Sequence, residues 1–323
     1  MRRVVCTHWG EPEGLEIHES EDLTAGPGQV VIDVAAAGVN FVDALFVAGT
    51  YQIKFPPPFT PGSECAGVIS AVADGVDGFA VGDSVLASGG LGGYASQVAM
   101  SASAVTKVPE GLSLPVAAAL GQSYCTAWFT MTRRMTVQPG ETVLVLGASG
   151  GVGLASIDVA RSLGATVIAA ASSDERLADA LAAGAAAGIN YTTEDLKARA
   201  RELSPGGVDV VIDPVGGDHT ERALRALRFG GRLAIIGFAS GPIPRIPTNQ
   251  VLLNNRSVVG VDWGAWAMQN AGDQRLLLGE VLEAVAAGDL NPVEPTQRPL
   301  DEAPAVLRDA LERRLRGKTV LIP

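Results

Sequence analysis

The 323-residue sequence predicts an α/β protein of two parts, a β-rich domain and a doubly wound parallel sheet. Three observations carry this. An apolar run, Thr142-Val143-Leu144-Val145-Leu146, ends in a glycine knot, Gly147-Ala148-Ser149-Gly150-Gly151-Val152-Gly153, and continues into a segment with one apolar face up to Leu163. From there strand-like and helix-like segments alternate to about residue 237. The first hundred residues instead hold short strand-like runs broken by Gly and Pro, notably Pro56-Pro57-Pro58 and Gly89-Gly90.

Taken in order, strands are expected at 29–36, 65–73, 82–87 and 94–100. Composition turns Ala-rich from Ser113, and 122–135 reads as one helix. The βα units then run as strand 142–146, helix 151–163, strand 166–170, helix 174–183, strand 188–191, helix 194–203, strand 208–213, helix 218–227 and strand 231–237. Beyond residue 265 only a helix at 274–287, a strand at 294–299, a helix at 304–314 and a strand at 319–322 remain. They are too few for a domain and are expected to complete the first one. The domains are therefore read as 1–119 completed by 265–323, and 120–264.

Composition narrows the function classes. A net charge of −11 and no basic stripe argue against nucleic acid. Arg313, Arg314, Arg316 and Lys318 alternate with apolar residues and read as a solvated helix face. Cys6, Cys65 and Cys125 are odd in number and scattered, forming neither a disulfide framework nor a metal pair, which suits a reducing cytoplasm. The start, Met1 to His8, lacks the apolar stretch of a signal peptide, and no run is long enough for a membrane helix.

The glycine knot is the chemical centre of the sequence. A strand, a glycine turn and a helix start together hold a dinucleotide pyrophosphate, because glycines admit a close backbone approach and the helix start offers unpaired N–H groups and a positive dipole end. The first glycine pair is spaced GxxG, and a second strand follows at βαβ distance.

Several segments resemble one family. These are Ala37-Gly38-Val39-Asn40-Phe41-Val42-Asp43, Gly49-Thr50-Tyr51-Gln52, and Phe59-Thr60-Pro61-Gly62-Ser63-Glu64-Cys65-Ala66-Gly67-Val68. Others are Val76-x-x-Phe79-x-x-Gly82-Asp83-x-Val85, Pro139-Gly140-Glu141-Thr142, Asp213-Pro214-Val215-Gly216-Gly217 and Ile236-Gly237-Phe238-Ala239-Ser240-Gly241. With the glycine knot they resemble the medium-chain dehydrogenase/reductase superfamily nearly end to end. Within it they resemble the zinc-free NADPH:quinone oxidoreductases of the zeta-crystallin type, and 249–266 looks closest to the quinone oxidoreductase-like subgroup. The resemblance implies a GroES-like catalytic domain, a Rossmann cofactor domain, and hydride transfer from NADPH to a small-molecule electron acceptor such as a quinone or a conjugated carbonyl compound. It also implies a homodimer paired through the edge strand 256–263, with neither a membrane nor a nucleic acid as partner.

Site residues follow from the same resemblance. Gly147, Ser149, Gly150, Gly151, Val152 and Gly153 would hold the pyrophosphate, Thr126 would touch the nicotinamide, and Gly237 and Phe238 would also contact the cofactor. The second βα strand ends Ala169-Ala170-Ala171-Ser172-Ser173 with no acid to take a ribose 2′-hydroxyl. Ser172, Ser173 and Arg176 would cradle a 2′-phosphate, or Arg176 is a surface residue beside a capped helix. Tyr191 resembles a tyrosine near that phosphate and suits a strand-end core position as well. Zinc-binding members place a cysteine and a histidine where Asn40 and Ser63 stand here, and neither residue is a usual zinc ligand. No metal is expected. Asn40, Asp43 and Tyr51 form the expected substrate pocket, with Asn40 donating a hydrogen bond and Tyr51 serving as acid or as pocket wall. Asp43 fits a helix anchor equally. Two other functions stay open, a 2-enoyl thioester reductase and a cofactor-bound structural protein.

Overall fold

A computed structural model describes residues 1–323, which separate into two compact units. The first comprises 1–122, 270–288 and 292–323; the second comprises 123–269 and 289–291.

The first unit opens with strands β1 (Arg2–Cys6) and β2 (Leu15–Glu19), an antiparallel pair. Next come β3 (Gln29–Val39), helix α1 (Phe41–Ala48), β4 (Glu64–Val72), β5 (Ser84–Ser88), β6 (Gln97–Ser101), β7 (Val105–Lys107) and the single turn α2 (Leu114–Ala117). The second unit contains α3 (Ser123–Trp128), β8 (Thr142–Leu146), α4 (Gly151–Ser162), β9 (Thr166–Ala171), α5 (Asp174–Ala182), β10 (Ala187–Asn190), α6 (Leu196–Leu203) and β11 (Val208–Asp213). It continues through α7 (Asp218–Ala226), β12 (Leu227–Ile235), α8 (Thr248–Leu252), β13 (Ser257–Gly260) and α9 (Trp263–Gln269). The chain then returns to the first unit with α10 (Ala271–Ala286), β14 (Thr296–Pro299), α11 (Ala303–Leu311) and β15 (Thr319–Ile322).

In the first unit a seven-stranded sheet runs β14-β15-β3-β4-β5-β7, with β6 also paired to β3. Strand β3 reaches three partners because it is long. Gln29–Asp33 pair with β6, and Ala37–Val39 pair with β15. Its inward side chains Val30, Ile32 and Val34 join Ile69, Val85, Val98, Leu307 and Leu321 in one core. The second unit is an all-parallel sheet ordered β10-β9-β8-β11-β12-β13. Its central strands are apolar on both faces, as a sheet covered by helices on both sides requires. The order reverses between β8 and β11, so the crevice of a ligand-binding α/β sheet opens at their carboxyl ends.

Several elements depart from the sequence reading. The expected helix 122–135 is α3 followed by a π-helical stretch, Phe129–Arg134. There Thr130 Oγ1 donates to the Thr126 carbonyl at 2.6 Å and Thr132 Oγ1 to the Trp128 carbonyl at 2.7 Å, so hydroxyls compete with the backbone ladder. The expected strand 94–100 becomes β6, starting at Gln97, because Tyr94 leaves the sheet to reach a buried carboxylate. The edge strand 256–263 is shorter, since Trp263 already begins α9. The basic run at 313–318 is not a helix face: α11 ends at Leu311, and Arg313 takes a left-handed turn with φ of 57°.

Candidate active site

The glycine turn of the second unit is built to leave donors open. Gly147 at the end of β8 has φ of 57°, which lets the chain turn before α4. Gly150 is the N-cap of α4 and brings no side-chain hydrogen bond, so no side chain covers the N–H groups of the first helical turn. Gly153 sets the approach of helix to turn: a Cβ there would lie 2.3 Å from the Gly147 carbonyl oxygen and 2.8 Å from Ala148. Glycine is the one residue that fits this close packing, which fixes the open helix N-terminus, the end that suits a pyrophosphate, against the turn.

The tip of β9 completes this site. Ser173 caps α5 by accepting from Arg176 N at 3.4 Å. The Arg176 guanidinium turns back to Ser149 of the glycine loop, with Nη1 donating to Oγ at 3.1 Å. Two groups named separately in the sequence thus come together. Ser172 lies exposed just past the strand. The nearest acid, Asp174, accepts from Asn190 Nδ2 at 2.8 Å. Tyr191 pairs its backbone N–H with the Ala171 carbonyl at 3.1 Å, beside the tip, and its ring lies 4.3 Å from that of His219. Thr126 is buried in α3. Gly237 and Phe238 follow β12, and Phe238 packs where a Cβ on Gly216 would meet it at 3.0 Å. The residues present fit a dinucleotide.

The polar cluster of the first unit has the opposite character, because its groups satisfy one another. Asp43, fully buried in α1, accepts from Asn40 N at 2.8 Å, Ser63 N at 3.0 Å and Tyr94 Oη at 3.0 Å. Burial nevertheless lifts its carboxyl to about 6, against the pull of those three donors. Asp43 is therefore an anchor for the loop around Asn40 and Ser63. Asn40 Nδ2 donates to Glu64 Oε1 at 2.8 Å and to Ser63 Oγ at 3.1 Å. Both amide N–H groups are committed within the chain, and the expected free donor at Asn40 is engaged. Glu64, at the start of β4, is fully buried and also accepts from Gln122 N at 2.8 Å through Oε2.

Sequence reasoning missed the cation of this cluster. Lys318 Nζ lies 2.6 Å from Glu64 Oε1 and 2.5 Å from Asn40 Oδ1, and its side chain is 9% exposed. The sequence alone groups it with the solvated arginines before it. The available signal is its position, one residue before the buried strand β15.

Tyr51 sits beyond α1 in an aromatic group. Its ring meets Phe46 edge-on at 5.1 Å, and Phe46 meets Phe55 at 5.0 Å. Trp9 Nε1 donates to the Phe55 carbonyl at 3.0 Å and holds the same loop.

Zinc does not suit this donor set. Asn40 and Ser63 offer an amide and a hydroxyl already hydrogen-bonded to each other, and an ammonium lies among them. The adjacent Cys65 thiol is pushed up to about 12 by burial and by Glu64, which keeps it protonated. Nowhere do three or more His, Cys, Asp or Glu side chains gather in a metal-holding group. No helix is long and apolar enough to cross a membrane.

Comparison with known proteins agrees with both units. Residues 26–110 match the alcohol dehydrogenase GroES-like domain, and residues 151–276 match the zinc-binding dehydrogenase domain. The chain is 38% identical over 322 residues to the quinone oxidoreductase-like protein 2 of Bos taurus, covering 99% of this chain and 92% of that one. It is 32% identical over 328 residues to the quinone oxidoreductase of Rattus norvegicus, covering 100% and 98%. Among solved structures it is similar to the quinone oxidoreductase of Thermus thermophilus, studied alone and with NADPH, at 36% identity and a TM-score of 0.85 over all of both chains. The chain belongs to the quinone oxidoreductase family of the medium-chain dehydrogenase/reductases.

Proposed function

We propose that this member of the quinone oxidoreductase family is an NADPH-dependent, metal-independent reductase of quinones or related α,β-unsaturated carbonyl compounds. The observation that carries the reading is the uncapped glycine turn with Arg176 drawn to Ser149 and no acid free at the tip of β9. Such a tip favours a 2′-phosphate over a bare ribose hydroxyl. The complex of the Thermus thermophilus quinone oxidoreductase with NADPH supports the same cofactor.

When bound, the reduced nicotinamide supplies hydride, and the rest falls to the chain. The α4 start and Gly153 seat the pyrophosphate. Arg176, with Ser172, Ser173 and Tyr191 near it, selects the 2′-phosphate. Thr126, Gly237 and Phe238 border the remainder of the cofactor. In the first unit Asp43 and Glu64 hold Asn40 and Ser63 in place, and Tyr51 presents a phenol whose ring is fixed against Phe46. That phenol serves as proton source for the product or as the wall of the acceptor pocket.

The test is a panel of quinones, enones and enoyl thioesters with NADPH or NADH, followed by cofactor oxidation. Turnover of quinones or enones with NADPH preferred is expected. An enoyl thioester far ahead of every other acceptor would reassign the chain as a thioester reductase, and cofactor binding without turnover would point to a structural role.

A second copy of the chain is the proposed partner. Strand β13 is the outer edge of its sheet, with Val258 37% exposed, and such an edge needs cover. Light scattering at micromolar concentration should give the mass of a dimer, and Val258→Lys that of a monomer; a monomeric parent would exclude the pairing.

A further inference from the structure

The Lys318 ammonium has no role in any reading above, yet the polar cluster is arranged around it. The Glu64 carboxylate that holds it lies in a slot cut by two glycines. A Cβ on Gly38 would come within 2.5 Å of Oε1, and one on Gly121 within 2.7 Å of Oε2. Each carboxylate oxygen is also engaged, Oε1 by Lys318 and Asn40 and Oε2 by the Gln122 N–H. The carboxylate therefore has no second place to go, and the ammonium is fixed with it.

An ammonium carries three N–H donors. Two are used, on Glu64 Oε1 and Asn40 Oδ1, and the third finds no acceptor in the chain. Asn40 has no donor to spare, and Ser63 gives its proton to Gln122 Oε1 at 3.1 Å. Two side-chain donors of the cluster therefore stay open, the third N–H of Lys318 and the Gln122 amide Nε2, whose Oε1 is already taken by Ser63, and of the two Lys318 alone is cationic. A pre-oriented cation of this kind stabilises charge developing on oxygen, a task that elsewhere falls to a bound metal.

Resting on the reductase reading above, we propose that Lys318 is a catalytic residue that donates its third N–H to the acceptor's carbonyl oxygen. With an enone, hydride forms a C–H bond at the β-carbon while the C=C electron pair shifts to leave negative charge on the carbonyl oxygen. Lys318 keeps its proton and hydrogen-bonds that oxygen. The enolate then takes a proton at the α-carbon from the Tyr51 hydroxyl or from water, and the dinucleotide is oxidised by two electrons. With a quinone the same N–H faces the first oxygen to gain charge. The misfit to zinc acquires a reason: the cluster already contains its cation.

The test compares the parent protein with the double variant Lys318→Met/Glu64→Gln. Removing one charge alone would strand the other in a buried site, whereas removing both leaves a neutral, foldable cluster. NADPH affinity, read by fluorescence titration, should stay near the parent's, and the melting temperature should fall only by the few degrees that one amide N–H₂ set against the Asn40 or Gln122 donor costs. Turnover of an enone should fall by about 100-fold or more in kcat, the cost of losing one strong oxyanion donor, with little change in KM. A second measurement needs no turnover. 4-Nitrophenol, titrated against each protein with oxidised dinucleotide present and followed by visible absorbance, should bind the parent as the phenolate at a pH below its free titration, and should not do so in the double variant. A double variant that keeps kcat within about threefold and binds the phenolate as the parent does would leave Lys318 a mere counter-ion and overturn the proposal. A parent that turns over no acceptor would sink the reductase reading instead, while the phenolate titration would still decide the role of Lys318.

Discussion

The glycine turn of the second unit and the polar cluster of the first solve opposite problems. The turn removes side chains, so that backbone N–H groups of the first helical turn stay open, with the Arg176 guanidinium held beside them on Ser149. The cluster packs in charged side chains and then neutralises nearly all of them, with Asp43, Glu64, Asn40, Ser63, Tyr94, Gln122 and Lys318 bonded to one another. A site that binds by backbone is vulnerable to added atoms. A site that binds through a satisfied network is vulnerable to lost charges or donors.

The sharpest break in this contrast is steric. Gly153→Val must displace the Gly147 carbonyl and should cost about 3 kcal/mol in stability and NADPH affinity together, by overpacking. Titration calorimetry and thermal melting read both losses, and a variant that binds NADPH normally would contradict the account of the turn. Asp43→Asn attacks the network instead. It sets an amide N–H₂ against groups that donate, for a loss of about 2 kcal/mol.

Asp43 also carries a pH signature. Its folded carboxyl is raised to about 6 from 3.8, so between those values the folded chain holds a proton that the unfolded chain has released. The stability this group contributes is full below about pH 4, is lost as pH rises through 6, and is level above that. Denaturant melts of parent and Asp43→Asn across this window should differ in slope; parallel curves would remove Asp43 as the titrating group.

Arg176→Ala removes a charged hydrogen bond of roughly 1.5–3 kcal/mol, so NADPH should bind about 10- to 100-fold more weakly while NADH changes little. Equal losses for both cofactors would return Arg176 to a structural role. The smallest effect is expected at Tyr51. Tyr51→Phe should lower kcat by more than about tenfold for an enone, whose enolate must gain a proton, and by less than about threefold for a small quinone. Similar minor losses with both would leave Tyr51 as a pocket wall.

Most of the parallel sheet was legible to within two residues, because buried strands and amphipathic helices write their periods directly into the sequence, but β12 begins four residues before the expected 231 and β13 ends three residues before the expected 263. The expected strands 142–146 and 208–213 match β8 and β11 at both ends. The β-rich unit was harder. Strands β1 and β2 give little signal because their burial does not alternate: Arg2 and Arg3 are both exposed ahead of buried Val4, Val5 and Cys6, and Leu15 alone is buried in β2. At the site, the glycine turn and the Ser172–Arg176 tip depend on local chain order and could be read. The Lys318–Glu64–Asn40 contact joins residues from opposite ends of the chain, and no spacing rule brings them together. Helix 122–135 reads as one element because hydrophobic periodicity does not report hydroxyls that divert the backbone.

The interleaving of the first unit has a consequence for folding. Thr319 of β15 pairs with Val39 of β3, so the sheet around the polar cluster closes only across the whole sequence of the second unit. The second unit is nearly contiguous, and four of its five parallel pairs join strands that follow one another along the chain, β8–β11 being the one longer crossover. Contacts of long sequence separation form slowly, because loop-closure entropy must be overcome first. The Rossmann unit should therefore acquire hydrogen-exchange protection early in refolding, while β3, β4 and the buried Glu64 wait exposed for the last strand to bring Lys318. Until then the carboxylate has no cation, and the final strand delivers shape and charge in one step.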